Sequence, residues 1–397
     1  MVLIRIMTAT NQTAQRFSGF GTTIFAEMSQ RAKEVGAVNL GQGFPDFDGP
    51  EHVKAAAIDA VNAGQNQYAP MPGVPELRHA IADAWAREHG GFHTPIDPDA
   101  HVSVTAGCTE AIAAALIGLV NRGDEVILFE PYYDSYRASV AMAGARPRFV
   151  TLHAPGFTFD EAELRAAFTP RTRAILVNTP HNPTGRVFTR DELGLIASLS
   201  IEHDVVALAD EVYEHLVFEG RHIRLASLPG MWERTVTMSS LGKTFSLTGW
   251  KIGWAVAPEP LTAGLRAAHQ FLTYAVNTPA QHAAAAALRS ESIYFNRLLS
   301  DYRKRRDSLC GALTEIGFRL TPPQGAYFVL ADHTPFGDGD DIAFCRRLLD
   351  ECSVAAIPPT AFYENKAEGR RLVRFAFCKT MDTLEQAVTR LQGLVGP

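Results

Sequence analysis

Between about residues 51 and 285, short runs of β-branched and aliphatic residues alternate with Ala- and Leu-rich stretches of helical spacing. The runs at 101–105, 125–129, 148–152, 174–177, 205–209 and 235–238 are rich in β-branched and aliphatic residues and too short for helices, and so predict buried strands. Strands alternating with helices predict an α/β fold whose mainly parallel sheet is covered on both faces. Ligands on such sheets sit beyond the carboxyl ends of the strands, so the residues that follow each strand are the ones to inspect. From Glu291 onward the pattern changes to long amphipathic helices over 294–316, 340–352 and 382–394, flanking short strands near 327–331 and 372–377. This predicts a second, smaller α+β domain.

Length and charge narrow the function. At 397 residues the chain is long enough for two or three domains and an enclosed site. A net charge of -6 offers no field for nucleic acid or an anionic membrane, which leaves small molecules or identical subunits as the expected partners. The five cysteines (Cys108, Cys310, Cys345, Cys352, Cys378) are scattered and include no CxxC pair, so neither a zinc site nor a disulfide framework is expected. The apolar start Met1–Met7 is short and interrupted by Arg5, and no later stretch is long enough to span a bilayer; a cytoplasmic protein is expected. Gly19-Phe-Gly21 lacks the third glycine of a dinucleotide fingerprint, which argues against a nicotinamide enzyme.

The strand ends carry the candidate chemistry. The run at 235–238 leads through Ser240 and Gly242 to Lys243; a lysine partly desolvated there loses proton affinity and becomes an amine able to form an imine. Lys251, eight residues on, is placed to neutralise a phosphate together with the Ser240 hydroxyl, although an isolated lysine is ordinarily a solvated surface charge. After 205–209 comes Asp210, whose carboxylate can keep a pyridine nitrogen protonated, followed by Glu211 and by Tyr213, whose hydroxyl can reach a ring oxygen. An acidic pair in that place equally well caps a helix. After 101–105, Gly107-Cys108-Thr109-Glu110 opens an Ala-rich helix, and free N–H groups at a helix start bind phosphate. Asn182 in Asn178-Thr-Pro-His-Asn-Pro-Thr-Gly offers an amide to a ring oxygen, or simply a stiff turn. Tyr133 offers a ring to stack on a planar cofactor, though core packing is the commoner use of such a ring. Arg374 lies in an apolar strand, where a carboxylate from a ligand or from an internal acid would satisfy its guanidinium.

Asn182, Asp210, Tyr213, Lys243, Lys251 and Arg374 occur in the order and approximate spacing of the fold-type-I pyridoxal-phosphate aminotransferases of class I/II, and the resemblance covers almost the whole chain. It is greatest for the kynurenine, glutamine and methionine aminotransferase group, through Val38-Asn-Leu-Gly-Gln-Gly43-Phe-Pro-Asp-Phe, Asn66-Gln-Tyr68, Asp210-Glu-Val-Tyr213, Gly242-Lys243-Thr-Phe and Thr248-Gly-Trp-Lys251. The resemblance implies a mainly parallel seven-stranded sheet sandwiched by helices. It divides the chain into 1–50, an arm and part of the small domain, 51–290, the cofactor domain, and 291–397, the small domain. It implies pyridoxal 5'-phosphate on Lys243 as a Schiff base, Asp210 on the ring nitrogen, Asn182 and Tyr213 on the ring oxygen, and Tyr133 on the ring face. Gly107, Cys108, Thr109, Ser240 and Lys251 would hold the phosphate, joined by Tyr68 from a second subunit of a homodimer. Arg374, Asn182 and the Gly43 backbone would grip the substrate carboxylate.

Four departures from the family pattern stand out. Lys251 stands where many members carry Arg, Cys108 where the animal kynurenine enzymes carry Tyr, and Phe25 where those enzymes carry a Trp of the side-chain pocket. Their Phe-His pair is replaced by Tyr274-Ala275, in a segment more similar to bacterial methionine aminotransferases. Phe25, Tyr68 and Tyr274 would make an apolar pocket, so the expected donor is a large neutral amino acid such as methionine, glutamine, an aromatic residue or kynurenine. An N-succinyl-diaminopimelate aminotransferase and a cysteine-conjugate β-lyase are the alternatives on the same cofactor.

Overall fold

The computed structural model describes residues 13–21, 24–88, 94–337 and 339–394, with the side chains of Phe25 and Glu88 outside the described set. The strands in chain order are β1 (Val38–Asn39), β2 (Val102–Thr105), β3 (Glu125–Glu130), β4 (Arg146–Thr151), β5 (Thr172–Asn178), β6 (Val206–Asp210), β7 (Thr235–Ser240), β8 (Gly253–Val256), β9 (Arg319–Leu320), β10 (Phe328–Asp332), β11 (Val354–Ala355) and β12 (Leu372–Ala376). Seven of them form one sheet in the order β2-β8-β7-β6-β5-β3-β4. Pairing is parallel throughout β7-β6-β5-β3-β4, and β8 runs antiparallel to both β2 and β7.

The all-buried strands divide their side chains between two cores. Val126 and Leu128 of β3, Ala174 and Leu176 of β5, and Val206 and Leu208 of β6 pack on one face, against Ile112 and Leu116 of the helix Gly107–Leu119. Their alternates Ile127, Phe129, Ile175, Val177, Ala207 and Ala209 pack on the other, against Leu164, Leu193 and Ile196 of the helices Glu161–Ala167 and Arg190–Glu202. A period of two with both phases apolar is what a sheet buried on both faces requires.

Two differences from the sequence reading have local causes. The strand expected at 148–152 begins earlier, at Arg146: β4 is the sheet edge, its outer half alternates exposed and half-buried positions, and Pro147 is tolerated there. The antiparallel β8 was not anticipated, because Gly253-Trp-Ala-Val is short and directly follows the turn at Lys251.

The remaining strands form two small sheets, β12-β10-β9, antiparallel, and β1-β11, parallel, so that residues 38–39 join the C-terminal elements. The helices Ser292–Ile316, Asp341–Cys352 and Met381–Leu391 lie where amphipathic spacing put them, the first ended by Gly317 at φ 119°. All five cysteines are free and buried. Among the described residues no helix is long and apolar enough to cross a membrane.

Candidate active site

A cavity of about 340 Å³ opens beyond the carboxyl ends of the central strands. Its walls bring together Gly43, Gly107, Cys108, Thr109, Tyr133, Asn182, Asp210, Tyr213, Ser240, Lys243, Lys251 and Arg374. Tyr68 and Tyr274 are not among them. They lie on the outer surface, 86% and 48% exposed, with their rings edge to face at 6.0 Å. The Phe25 side chain lies outside the described residues.

Asp210 ends β6 between Asn178 of β5 and Met238 of β7. Its buried carboxylate accepts the Tyr136 hydroxyl at 2.6 Å on Oδ2, and the Cys108 thiol at 3.5 Å and the Val212 N–H at 3.3 Å on Oδ1. Burial raises its proton affinity, and these donors pull the other way. The three donors are neutral, so the negative charge is hydrogen-bonded without being neutralised by them. Glu211 takes a different course: it accepts His222 at 2.8 Å and Arg224 Nε at 3.1 Å, while Arg224 Nη2 bonds Glu214 at 2.5 Å. Glu211, Glu214 and His222 thus come within ligand distance of one another, with the Arg224 guanidinium supplying the positive charge between the carboxylates. The acidic pair divides its work: Asp210 faces the cavity, and Glu211 anchors the turn behind it.

Beyond the buried β7, the single helical turn Leu241–Thr244 carries Lys243 into the cavity. Its Nζ lies 5.8 Å from the centre of the Tyr213 ring and 5.7 Å from that of Tyr327. Burial lowers its proton affinity, opposed by the nearby Cys378, Asp210 and Cys108 and reinforced by Lys251. The Tyr213 and Tyr327 hydroxyls are hydrogen-bonded to each other, and Tyr327 donates onward to the Gly43 carbonyl at 2.7 Å. Burial raises the proton affinity of Tyr213, keeping the hydroxyl protonated as a donor.

At one end of the cavity the helix Gly107–Leu119 presents its first N–H groups. Gly107 has φ +76°, and a Cβ there would lie 3.2 Å from Lys251 Nζ; the missing side chain leaves room for a group between helix start and ammonium. Gly253 makes this approach possible from the sheet side, since a Cβ on it would come within 2.4 Å of the Gly107 carbonyl carbon. Ser240 adds a buried hydroxyl at the end of β7. Tyr133 bonds Thr109 and meets Tyr136 edge to face at 5.6 Å; burial pushes its hydroxyl up to about 12.

Arg374 of β12 closes the far end. Its Nη2 donates to the Gly41 carbonyl at 2.8 Å and its Nη1 to Asn182 Oδ1 at 3.4 Å, with Phe328 and Phe362 rings 4.4 and 4.9 Å from its carbon centre. Burial lowers its proton affinity to about 10, so it still carries its charge at neutral pH. Asn182 is held in turn by Asn178, whose Oδ1 accepts the Asn182 N–H at 2.7 Å and whose amide donates to the Asp210 carbonyl at 2.9 Å.

Sequence reasoning missed Tyr136, Asn178 and Tyr327 as members of this network. Tyr136 falls one helical turn after Tyr133, a spacing that puts both on one face and was the available signal. Asn178 ends a predicted strand just as Asp210 does. Tyr327 is apolar-flanked and offered no sign that its hydroxyl reaches another element.

Compared with known proteins, residues 35–391 match the family model for aminotransferase class I and II. The chain belongs to the class I and II aminotransferase family. It is therefore an aminotransferase, acting on amino and 2-oxo acids, in a family that works with pyridoxal phosphate. A probable N-succinyldiaminopimelate aminotransferase of Mycobacterium tuberculosis is 50% identical over 393 residues, 96% of this chain and 98% of the relative. The methionine aminotransferase of Escherichia coli is 43% identical over 375 residues, 94% and 96% of the two chains. The solved N-succinyldiaminopimelate aminotransferase from Mycobacterium tuberculosis matches with a TM-score of 0.93 at 50% identity, covering 96% of this aminotransferase and 100% of that chain. The architecture is that of the fold-type-I aminotransferases, as the sequence resemblance implied.

Proposed function

We propose that this aminotransferase binds pyridoxal 5'-phosphate in the cavity beyond β5, β6 and β7, with Lys243 as its covalent anchor and proton carrier. The observation that carries the reading is that a buried lysine of lowered proton affinity and a buried aspartate held by three hydrogen-bond donors line one cavity. The donor set fits the group. Gly107, Cys108, Thr109, Ser240 and Lys251 would hold the phosphate in the space left by the missing Gly107 side chain. Asp210 would hold a proton on the ring nitrogen, Tyr213 and Asn182 would donate to the ring oxygen, and Tyr133 would cover the ring face. When bound, pyridoxal phosphate supplies an aldehyde that condenses with amines and a ring that withdraws the electron pair left when the α-hydrogen departs.

The chain's own residues do the rest. Arg374 and Asn182 orient the substrate through its α-carboxylate, the group common to every amino acid. Lys243, made nucleophilic by burial, takes the proton from the substrate α-carbon and returns it, general-base assistance typically worth ~10²–10⁴ in rate. Tyr136, Cys108 and the Val212 N–H hold the Asp210 carboxylate and oppose the rise in proton affinity that burial causes.

We take N-succinyl-diaminopimelate as the first amino donor, because the mycobacterial relative so named is more similar than the methionine enzyme at comparable coverage. Methionine and other large neutral donors, the reading the sequence placed first, are favoured by the aromatic lining of Phe44, Tyr133 and Phe328. We also take the active unit to be a homodimer in which Tyr68 reaches the partner's phosphate end; Tyr68, Phe271, Leu272 and Tyr274 form the exposed aromatic and aliphatic surface this requires. The domain division at residues 50 and 290 follows the same reading. Lys243→Ala tests it: steady-state transamination should vanish for every donor, and retained turnover would remove Lys243 from the chemistry.

A further inference from the structure

A second cavity, of about 550 Å³, lies beside the first, and Asp134 lines both. Its walls come from the segment at residues 19–21 with Ile24, the helix Asp134–Met142, and the stretch from Pro358 to Lys366. Phe20, Ile24, Tyr132 and Ile342 make it apolar on several sides, yet two cations enter it, Arg137 and Lys366. The Arg137 guanidinium packs on the Phe20 ring at 5.4 Å and interacts with the Tyr132 hydroxyl. Its carboxylate partner, Glu364, stands 3.9 Å away, at the outer limit of an ion pair, with a side chain 55% exposed and outside the cavity wall. Lys366 donates to the Thr360 carbonyl at 3.2 Å, a neutral acceptor. Among the described residues the one acid on the wall is Asp134, which lines both cavities and lies within the field of Arg374.

An amino acid held at Arg374 by its α-carboxylate has its side chain left to extend elsewhere, and Asp134 is the wall residue the two cavities share. We propose that this second cavity is the subsite for the distal end of the substrate side chain, where Arg137 and Lys366 bind carboxylates that the side chain carries. The substrate class is therefore a long amino acid with an acidic terminus, its methylene chain lying on Phe20, Ile24 and Ile342. N-succinyl-diaminopimelate has this form, with two carboxylates beyond the reacting centre for two cations. The assignment rests on the preceding reading of the donor and adds the residues that would recognise it. A neutral side chain would make no use of either charge.

The test compares holoenzyme of the wild type, Arg137→Gln, Lys366→Gln and Arg137→Lys on N-succinyl-L,L-diaminopimelate, L-2-aminopimelate and methionine. Each Gln variant should lower kcat/KM for N-succinyl-L,L-diaminopimelate, and at least one of them that for L-2-aminopimelate with its single distal carboxylate, by about ten- to a hundredfold, the cost of a lost charge-assisted hydrogen bond. The loss should fall in KM, leave methionine unchanged, and be partly restored in Arg137→Lys. Equal losses on all three donors, or none on the acidic ones, would overturn the subsite. A wild type that uses methionine and 2-aminopimelate but not the succinylated donor would sink the donor reading alone, with 2-aminopimelate still reporting on the cations. A wild type that uses neither acidic donor overturns both.

Discussion

Removal of Arg374 isolates what the enzyme does with the part of the substrate that never varies. Its guanidinium is buried on β12, held by the Gly41 carbonyl at 2.8 Å and Asn182 at 3.4 Å and flanked by Phe328 and Phe362. A carboxylate received there gains two charge-assisted hydrogen bonds of ~1.5–3 kcal/mol each, so Arg374→Ala should cost ~3–6 kcal/mol, or about 10²–10⁴ in kcat/KM. Arg374→Lys keeps a charge but loses the fork, and about half of that free energy should be lost. The Ala variant also leaves the buried Gly41 carbonyl without its donor, a stability cost of ~1–3 kcal/mol that denaturation of the cofactor-loaded protein would register separately. The assay is kcat/KM for methionine, glutamine, phenylalanine and N-succinyl-diaminopimelate, measured at saturating cofactor. Because the α-carboxylate is common to all four, the fold-loss should be nearly the same for each. A loss confined to one donor would refute the reasoning and move Arg374 to side-chain recognition.

Tyr136→Phe removes the 2.6 Å donor to Asp210 and should destabilise the cofactor-free protein by ~1.5–3 kcal/mol. That bond lowers the Asp210 proton affinity, so the loss should be largest above the folded-state pKa of Asp210 and shrink as pH falls through it; urea unfolding that shows a pH-independent loss would contradict this. Lys243 has a proton affinity depressed below 10.5, and its burial as a cation costs stability that is recovered as pH rises from the folded value towards 10.5. Its reaction with an aldehyde probe should accordingly reach half-maximum below the ordinary lysine range, as peptide mass mapping against pH would show; a profile within that range would refute it. Tyr274→Asp places a charge in the exposed patch with Tyr68 and Phe271, and sedimentation should show a dimer weakened to monomer with activity falling at low protein concentration. An unchanged dimer would separate that patch from the interface.

The central sheet was legible because its strands are buried on both faces, so runs such as 126–129 and 174–177 carry no polar interruption. β8 was hidden because a four-residue strand containing Gly253 has too little pattern of its own and is held by β2 and β7 on either side. That Asp210, at the end of β6, and Lys243, on the turn beyond β7, face one cavity was readable because topology decides what stands beyond a parallel strand. Residues whose function lies in a long-range bond were not. Tyr136 reads as one more aromatic on a helix until its hydroxyl is seen on Asp210, and Tyr327 as a core residue until it bridges Tyr213 to Gly43. The strand position of Arg374 left open whether an internal acid satisfies it; its two Nη atoms donate to a carbonyl and an amide oxygen, and Asp134 adds a favourable field.

Covalent capture at Lys243 is the most direct test. Purified protein incubated with pyridoxal 5'-phosphate, reduced with borohydride and digested should yield a single stoichiometric adduct on the peptide containing Leu241-Gly-Lys243-Thr, with Asp210→Ala weakening its formation. An adduct spread over surface lysines, or none at Lys243, would contradict the account.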